Sequence, residues 1–398
     1  MKAVNNFNFA NTTRIVFGKG QIAQLPTLIP KDRIVYMTYG GGSIKRNGTY
    51  DQVMTALKGY EVHEFGGIEA NPDFDTLIKA VAEIKKLDMD RVYLLAVGGG
   101  SVADGTKFIA AACKYTDSED LWNLVLTGAH TITAALPIGV VLTLPATGSE
   151  SDPSGMISRR TLKMKLPISN PILLPKFAIL DPLTTMSLPE RQTTNGVVDS
   201  FVHVCEQYIT SCQSIYYDAD VQDRYSEALL KVLIDNGRLV MKDPMSYVAR
   251  SNIMWASTQA LNGWIAQGVE EDWATHFVAH ELTAYLGIDH GRTLACIQPR
   301  LLRFNFESKK EKLAQMGRRV FNLEGSDDDE IANKTIDAIV DFYEKDMKVP
   351  THISAYDPTG DRKWVEEVEK KFLENDTHLG ELGNVDAHVA RQLILDSY

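Results

Sequence analysis

The fold class follows from the stretch VYLLAVGGGSVADGTK, residues 92–107. Its first six residues form an apolar run, which is typical of a parallel β-strand that is covered on both faces. Three glycines and a serine follow, and the segment that continues through VADGTKFIAAACKY has the composition of a helix. A strand that passes through a glycine-rich turn into a helix is the repeating unit of a doubly wound parallel sheet.

Other strand and helix patterns flank this stretch on both sides. A β-rich run, RIVYMTY (33–39), is also followed directly by GGGS. A helical pattern covers NPDFDTLIKAVAEIKKL (71–87), and further strands are predicted for IGVVLTL (138–144) and KFAILD (176–181). From about Pro189 onward the chain consists mostly of long helical patterns. We therefore predict an α/β, Rossmann-like dinucleotide-binding domain with a parallel sheet over residues 1–185. An all-α metal-binding domain is expected over residues 186–398.

The composition excludes some kinds of partner. The 398-residue chain has a net charge of −11, whereas nucleic acids and anionic membranes bind to basic surfaces. Its four cysteines form no Cys-x-x-Cys pair, and the N-terminal stretch MKAVNNFNFANTTR lacks the apolar core of a secretory signal. We expect a cytoplasmic protein without nucleic-acid or membrane partners.

The glycines at the end of the run 92–97 have the features of a phosphate site. Glycine lets a ligand approach the backbone, and a helix N-terminus presents free N–H groups and the positive end of its dipole. Gly98, Gly99, Gly100 and Ser101 would cradle a pyrophosphate. The alternative is a tight turn in which glycine is required only for a positive φ angle.

A second glycine loop, YGGGSIKRNG at residues 39–48, bears on the choice of cofactor. NAD-selective sites usually hold the ribose with a carboxylate, whereas a 2′-phosphate requires donors and no nearby negative charge. No Asp or Glu occurs between Met37 and Thr49, but Lys45 and Arg46 do. This composition favours NADP over NAD, and the alternative is an ordinary surface turn with two solvated cations. A third loop, TLPATGSESDPSG (143–155), suits the polar rim of a ligand site or is simply a polar loop.

Three of the nine histidines lie close together in DWATHFVAHELTAYLGIDHG, residues 272–291. His276 and His280 are four residues apart and therefore share one face of a helix, and His290 follows a Gly-Ile-Asp step that ends this helix. Upstream, Asp199 and His203 form a second helical pair. Each residue alone is more often a buried core acid or histidine, but the two pairs and His290 together indicate a metal site.

The donor types limit the identity of the metal. Three imidazoles and one carboxylate suit zinc or ferrous iron, and the spacing does not choose between the two. Four protein ligands would complete a tetrahedral zinc site of the structural type, so catalysis requires a fifth position or a labile ligand. We expect one divalent ion, Fe²⁺ or Zn²⁺.

Six motifs spread over the chain indicate a family. They are FGKG at Phe17, GGGSVADGTK at Gly98, TLPATGSE at Thr143, AILDP at Ala178, DSFVH at Asp199 and H-x3-H-x9-H at His276. With them the chain resembles the iron-containing, or group III, alcohol dehydrogenases, and most of all their NADPH-dependent butanol dehydrogenases and broad-range aldehyde reductases. The resemblance implies a dehydroquinate synthase-like fold, a homodimer, and hydride transfer between NADP(H) and small aldehydes or alcohols.

The resemblance also implies roles for individual residues. The metal would be held by Asp199, His203, His276 and His290, and His280 would be the histidine that does not bind the metal but transfers protons near the nicotinamide. The cofactor would contact Gly40, Gly41, Ser43, Gly99, Gly100, Ser101, Asp104, Thr143, Thr147 and Lys165. Lys163 lies close enough in sequence to be an alternative to Lys165.

Other functions fit parts of this pattern. A NAD-dependent polyol dehydrogenase or a sugar-phosphate cyclase would share the fold. A cyclase, however, needs Lys and Arg side chains for its phosphorylated substrate, and no such cluster flanks the histidines. A non-catalytic protein would bind NADPH and metal without turnover of any aldehyde.

Overall fold

The computed structural model describes residues 4–211 and 218–398, and it divides the chain into two units. The first unit is formed by residues 10–189, and the second by residues 4–9 together with the described part of 190–398. The sequence predicts the boundary at 185, whereas the first unit ends at Pro189. Residues 4–9 join the second unit because the Asn5 N–H donates to the Gly268 carbonyl at 3.0 Å and the Phe9 ring packs edge-on against Trp264.

The first unit contains eight strands. They are β1 (Arg14–Phe17), β2 (Ile34–Tyr39), β3 (Glu61–Phe65), β4 (Val92–Gly99), β5 (Ile138–Leu144), β6 (Ser154–Arg159), β7 (Met164–Ser169) and β8 (Phe177–Leu180). Six of them form one sheet in the order β1-β8-β5-β4-β2-β3, and every neighbouring pair in it is parallel. β6 and β7 form a separate antiparallel pair.

Helices connect these strands. The α-helices are α1 (Leu25–Leu28), α2 (Ser43–Arg46), α3 (Thr49–Ala56), α4 (Phe74–Ile84), α5 (Gly100–Lys114) and α6 (Trp122–Leu126). Short 3₁₀ helices lie at Gln21–Gln24, Arg160–Leu162, Pro171–Leu173 and Pro182–Thr185.

The burial of the central strands explains why a parallel sheet forms. All residues from Val92 to Val97 in β4 and from Ile138 to Thr143 in β5 are buried, as expected for strands covered on both faces. The predicted α/β architecture is confirmed. β1, β3 and the β6–β7 pair were not predicted from the sequence, because these strands mix polar with apolar residues, β1 is only four residues long, and β7 contains Pro167.

The order of the strands creates a switch point beside β2. The chain passes from β2 to β3 on one side, then returns to β4 on the other side of β2 and continues to β5. In open α/β sheets, ligands bind at such a reversal, outside the carboxyl ends of the strands. Both glycine loops begin there, because β2 ends at Tyr39 and β4 ends at Gly99.

The second unit is helical in its described residues. Its α-helices are α7 (Glu190–Tyr208), α8 (Asp220–Lys242), α9 (Tyr247–Leu261), α10 (Ala274–Leu286), α11 (His290–Phe304), α12 (Phe306–Arg319), α13 (Asp328–Asp341), α14 (Lys363–Glu374) and α15 (Ala387–Asp396). A π-helical turn lies at Phe342–Asp346 and a 3₁₀ turn at Ile353–Ala355. No helix in the described parts of the chain is long and apolar enough to cross a membrane.

α7 lies inside the helical unit. Every residue from Thr193 to Tyr208 is buried, and a helix that is buried on all its faces must be surrounded by other elements. The apolar residues of α7 belong to one core with those of α8, α9, α10, α11 and α13. Polar side chains on α7 therefore project into the protein interior, which is where Asp199 and His203 lie. The predicted all-helical second part is confirmed.

Candidate metal centre and dinucleotide loops

Three helix segments carry the predicted metal ligands. Asp199 and His203 lie one turn apart on α7, and both side chains are buried. His276 and His280 lie one turn apart on α10, also buried. Gly287 ends α10 in the left-handed conformation, at φ +67°, and its N–H donates to the Thr283 carbonyl at 3.0 Å. Glycine adopts this conformation without strain, so the chain turns sharply and α11 begins at His290.

The three predicted histidine ligands converge on one oxygen atom of the fourth ligand, Asp199. Asp199 Oδ1 lies 3.6 Å from Nε2 of His203 and 3.7 Å from Nε2 of both His276 and His290. The ligand atoms of Asp199, His203 and His276 all lie within 4.8 Å of one another. These separations are too long for hydrogen bonds, but they suit atoms that each lie about 2 Å from one shared ion.

Two atoms of this cluster are buried without a hydrogen-bond partner. They are Oδ1 of Asp199 and Nε2 of His276. Such atoms are rare in proteins because leaving a buried polar group unsatisfied costs free energy. A cation between them would satisfy both atoms, so the residues present fit a divalent metal ion.

The charges of the cluster also favour a cation. Burial alone would raise the pKa of Asp199, but the imidazoles of His203, His290 and His276 hold it far below its usual value. Burial alone would lower the pKa of His276, but the Glu206 and Asp199 carboxylates raise it to about 9. Two buried carboxylates thus stabilise positive charge here, and a metal ion would supply that charge in place of a proton.

Glu206 also belongs to this cluster, although it was not predicted from the sequence. Its side chain is buried on α7, and its carboxylate contacts Nδ1 of His276 on α10. The sequence did carry a signal, because Glu206 follows His203 by three residues, a spacing that puts two side chains on neighbouring positions of a helix surface.

His280 lies beside the cluster. Its ring centroid is 5.2 Å from that of His290 and 5.9 Å from that of Phe277, whose side chain is largely exposed. The group of ligand atoms that lie within 4.8 Å of one another contains neither His280 nor His290, but Nε2 of His290 lies 3.7 Å from Asp199 Oδ1. The position of His280 next to one predicted ligand is compatible with the role that the family resemblance implies.

The start of α10 is fixed by a second buried charge pair that the sequence analysis did not identify. Lys309 is buried, and its Nζ lies 2.5 Å from the Asp272 carboxylate and 3.0 Å from that of Glu381. Next to Asp272, Trp273 has a left-handed backbone with φ 63°, which is unusual for a bulky residue. Its ring lies 5.2 Å from that of His276, centroid to centroid. The ion pair between Lys309 and Asp272 thus fixes the turn that precedes His276 at the start of α10.

Packing explains two glycines of the β4–α5 turn. A Cβ at Gly98 would lie 2.5 Å from the Val102 side chain, and one at Gly100 would overlap the Thr147 hydroxyl. None of Gly98, Gly99 and Gly100 has a positive φ angle. The alternative interpretation, a tight turn in which glycine is required only for a positive φ, is therefore wrong. Ser101 Oγ accepts a hydrogen bond from the Asn71 N–H at 3.2 Å.

The β2–α2 loop contains a glycine that neither packing nor conformation requires. A Cβ at Gly40 would lie 3.2 Å from the Ile68 carbonyl oxygen, whereas one at Gly41 would meet no atom within 4 Å. Gly41 does not have a positive φ either. Close approach of a ligand is the remaining physical reason for a glycine at this position. Ser43 follows as the exposed first residue of α2.

A carboxylate lies closer to this loop than the sequence suggests. Glu64 on β3 pairs with Lys45 Nζ at 3.3 Å and accepts hydrogen bonds from the hydroxyls of Tyr50 at 2.5 Å and Tyr39 at 3.3 Å. Burial would raise the pKa of Glu64, but the hydrogen bonds from Tyr50 and Lys45 hold it below its usual value. Glu64 is thus ionised and neutralised by Lys45, so this lysine is not simply a solvated cation.

The remaining predicted cofactor residues lie on α5 and around the β5–β7 region. Asp104 is buried, accepts hydrogen bonds from Ser149 Oγ at 2.6 Å and Met156 N–H at 3.2 Å, and has a pKa that burial raises to about 6. Lys107, which the sequence analysis did not single out, is fully buried against Ser149 and Asp152, 2.9 and 2.8 Å away.

Three further predicted residues surround this network. Thr143 is buried on β5, and Thr147 Oγ1 accepts the Ser149 N–H at 3.2 Å. Lys165 is buried on β7 opposite Ser158, whereas Lys163 is exposed in a left-handed turn at φ 51°. The contacts of Asp104 and Thr147 shape the loop between β5 and β6.

Comparison with known proteins matches both parts of the chain to the same protein family. The family described as iron-containing alcohol dehydrogenase matches residues 12–182, and the C-terminal domain described as Fe-containing alcohol dehydrogenase family matches residues 193–370. The NADPH-dependent aldehyde reductase YqhD of Escherichia coli (strain K12) is 48% identical over 391 residues, which cover 98% of this chain and 99% of that protein.

Two more comparisons agree with this result. NADP-dependent alcohol dehydrogenase 3 of Entamoeba histolytica is 43% identical over 325 residues, or 81% of this chain and 83% of that protein. The crystal structure of Escherichia coli K-12 YqhD superposes with a TM-score of 0.95 at 46% identity and covers 100% of both chains.

Proposed function

Because the chain belongs to the iron-containing alcohol dehydrogenase family, we propose that it is a metal-dependent, NADP(H)-dependent alcohol dehydrogenase and aldehyde reductase. Its reaction is reversible hydride transfer between NADPH and short- to medium-chain aldehydes. The observation that carries this proposal is the buried Asp199 oxygen that faces three imidazole nitrogens at 3.6–3.7 Å.

Asp199, His203, His276 and His290 are the proposed ligands of one divalent ion, Fe²⁺ or Zn²⁺. The unsatisfied atoms of Asp199 and His276 support this set, and so do the nitrogen and oxygen donors, which suit both metals. When bound, the ion would supply Lewis acidity toward a carbonyl oxygen, and the nicotinamide would supply the chemistry of hydride transfer.

The glycine loops are the proposed cofactor site. Their position at the switch point of the sheet supports binding of a dinucleotide, and the open space at Gly41 supports close approach of its phosphates or ribose. The proposed contacts are Gly40, Gly41, Ser43, Gly99, Gly100, Ser101, Asp104, Thr143, Thr147 and Lys165. Preference for NADP rests on a loop without acidic residues, on the neutralisation of Glu64 by Lys45, and on the two NADP-dependent relatives.

His280 is the proposed proton donor and acceptor. It is buried, and its ring lies 5.2 Å from that of the proposed ligand His290, a position that supports proton exchange with an alcohol oxygen near the metal, directly or through water. A homodimer and a cytoplasmic location follow from the family resemblance and the composition. The net charge of −11 supports the absence of nucleic-acid and membrane partners.

Reconstitution of the metal-free protein tests the proposed function. Protein stripped with a chelator should oxidise NADPH with butyraldehyde only after Zn²⁺ or Fe²⁺ is added, and NADH should be used much less efficiently. His280→Ala should keep the bound metal and lose most of its turnover. A protein that binds both metal and NADPH but converts no short aldehyde would instead support the non-catalytic alternative.

A further inference from the structure

Both carboxylate oxygens of Glu206 contact residues at the start of α10. Oε1 accepts the Thr275 N–H at 2.6 Å, and Oε2 contacts Nδ1 of His276. The backbone carbonyl of Glu206 also accepts the Asp272 N–H at 2.9 Å. The side chain is buried, so water cannot easily replace these contacts. Glu206 therefore fixes both the backbone and the ring of His276.

The contact determines which nitrogen of His276 is available to a metal. A carboxylate oxygen accepts hydrogen bonds, so in this contact Nδ1 of His276 is the donor and Glu206 is the acceptor. The other nitrogen, Nε2, points toward Asp199 Oδ1, 3.7 Å away, and has no hydrogen-bond partner. A histidine that donates one N–H to a carboxylate binds metal through the other nitrogen, in a fixed orientation and with raised basicity.

Other carboxylates near the candidate site have different partners. Asp289, next to His290, is held by Arg191 Nε at 2.6 Å and Asn195 Nδ2 at 2.8 Å. Glu281 on α10 is held by Lys371 at 2.7 Å. The partner of Glu206 is instead an imidazole of the cluster itself.

We propose that Glu206 is a positioning residue that determines how tightly the metal is held. This inference rests on the proposed function, because it assumes that His276 is a metal ligand. Glu206 touches neither the metal nor the substrate in this scheme, and it acts by orienting the ring of His276 so that Nε2 faces Asp199.

Glu206→Gln separates this role from simple packing. The amide has nearly the same shape, but its single oxygen can accept from only one of the two N–H groups, those of Thr275 and His276. If the oxygen stays with Thr275, the amide NH₂ faces Nδ1 and forces the proton of His276 onto Nε2, the ligand atom. Loss of such a supporting contact typically weakens metal affinity by about 10- to 100-fold.

The measurement is the dissociation constant of Zn²⁺, by competition with a chromophoric chelator on the full-length metal-free protein. It is combined with the visible spectrum of the Co²⁺-loaded protein, which responds to ligand geometry. Glu206→Gln should bind Zn²⁺ about 10- to 100-fold more weakly and show an altered Co²⁺ spectrum. Glu281→Gln is the matched control, because it removes a buried carboxylate from a charge pair on α10 and should leave both readouts unchanged.

The outcomes distinguish this inference from the proposed function. Zn²⁺ affinity and a Co²⁺ spectrum like those of the wild type in Glu206→Gln would overturn the role of Glu206. If that variant does not fold, Glu206→Asp is used instead, because its shorter side chain keeps two acceptor oxygens but holds them farther from Thr275 and His276. An unchanged Zn²⁺ affinity in Glu206→Asp would overturn the role as well. A wild-type protein that binds no Zn²⁺, or a His276→Ala variant that binds it equally well, would contradict the ligand set and thus the proposed function itself.

Discussion

Glycines with similar sequence surroundings serve different purposes in this protein. Gly98 and Gly100 are needed because the Val102 and Thr147 side chains occupy the space of a Cβ. Gly287 is needed for a left-handed backbone that ends α10. Gly41 meets neither condition, so we expect its identity to depend on a ligand rather than on the fold.

Gly41→Asp tests this distinction and the cofactor preference together. The open space admits the side chain, so we expect normal folding. Two like charges about 4 Å apart near a protein surface repel by up to about 4 kcal/mol. NADPH should therefore bind at least about tenfold more weakly, since 1.4 kcal/mol is a factor of ten, while NADH, which lacks the 2′-phosphate, should lose much less affinity. Cofactor titration by fluorescence gives both dissociation constants.

Gly41→Ala is the control for this substitution, because it fills the same space without charge. It should change NADPH binding much less than the aspartate does. Gly40→Asp is the poorer test, since a Cβ there would lie 3.2 Å from the Ile68 carbonyl oxygen. An aspartate at 41 that leaves the NADPH-to-NADH ratio unchanged would remove this loop from cofactor selection.

At the scale of elements, the sequence predicts what lies within one helix and fails for what lies between helices. The pairs Asp199/His203 and His276/His280 could be placed from helical periodicity, and the end of α10 from Gly287. The contact of Glu206 with His276 could not be predicted, because it depends on how α7 packs against the start of α10. The same limit applies to the burial of Lys309, whose partners are distant in sequence.

Gly291→Ala tests how closely α11 must approach α7. A Cβ at Gly291 would lie 3.0 Å from Asn195 Cα and closer still to the Asn195 carbonyl oxygen. Backbone atoms of a central helix cannot move aside, so the alanine should push the start of α11, and with it His290, away from Asp199. Overpacking of this kind costs about 1–3 kcal/mol of stability. We expect both a lower urea midpoint and a smaller rise of that midpoint when Zn²⁺ is added.

Gly237→Ala provides the comparison for this variant. A Cβ at Gly237 on α8 would lie 3.1 Å from side-chain atoms of Met347 and Val197, which can adjust. This variant should keep the full stabilisation by Zn²⁺ even if it is slightly less stable. An equal loss of the Zn²⁺ effect in both variants would mean that general destabilisation, and not the position of His290, is responsible.

At the scale of the whole molecule, the sequence predicts the two architectures because their hydrophobic patterns differ. Buried parallel strands leave continuous apolar runs, and long amphipathic helices leave a helical period. The placement of residues 4–9 could not be predicted in this way, because it depends on a backbone pairing of Asn5 with Gly268 and on the contact of Phe9 with Trp264. The assignment of NADP(H) to the first unit and metal to the second stays a prediction.

Hydrogen exchange with each ligand alone tests this assignment. A ligand that binds only the folded form stabilises it by about 2.7 kcal/mol at 100 times its dissociation constant, which slows exchange through unfolding about 100-fold. Each unit has its own hydrophobic core. Zn²⁺ should therefore protect amides of α7, α10 and α11 most strongly, and NADPH those of the β2–α2 and β4–α5 segments. Equal protection of both sets by either ligand would contradict the assignment, since it would require one ligand to stabilise both cores to the same extent.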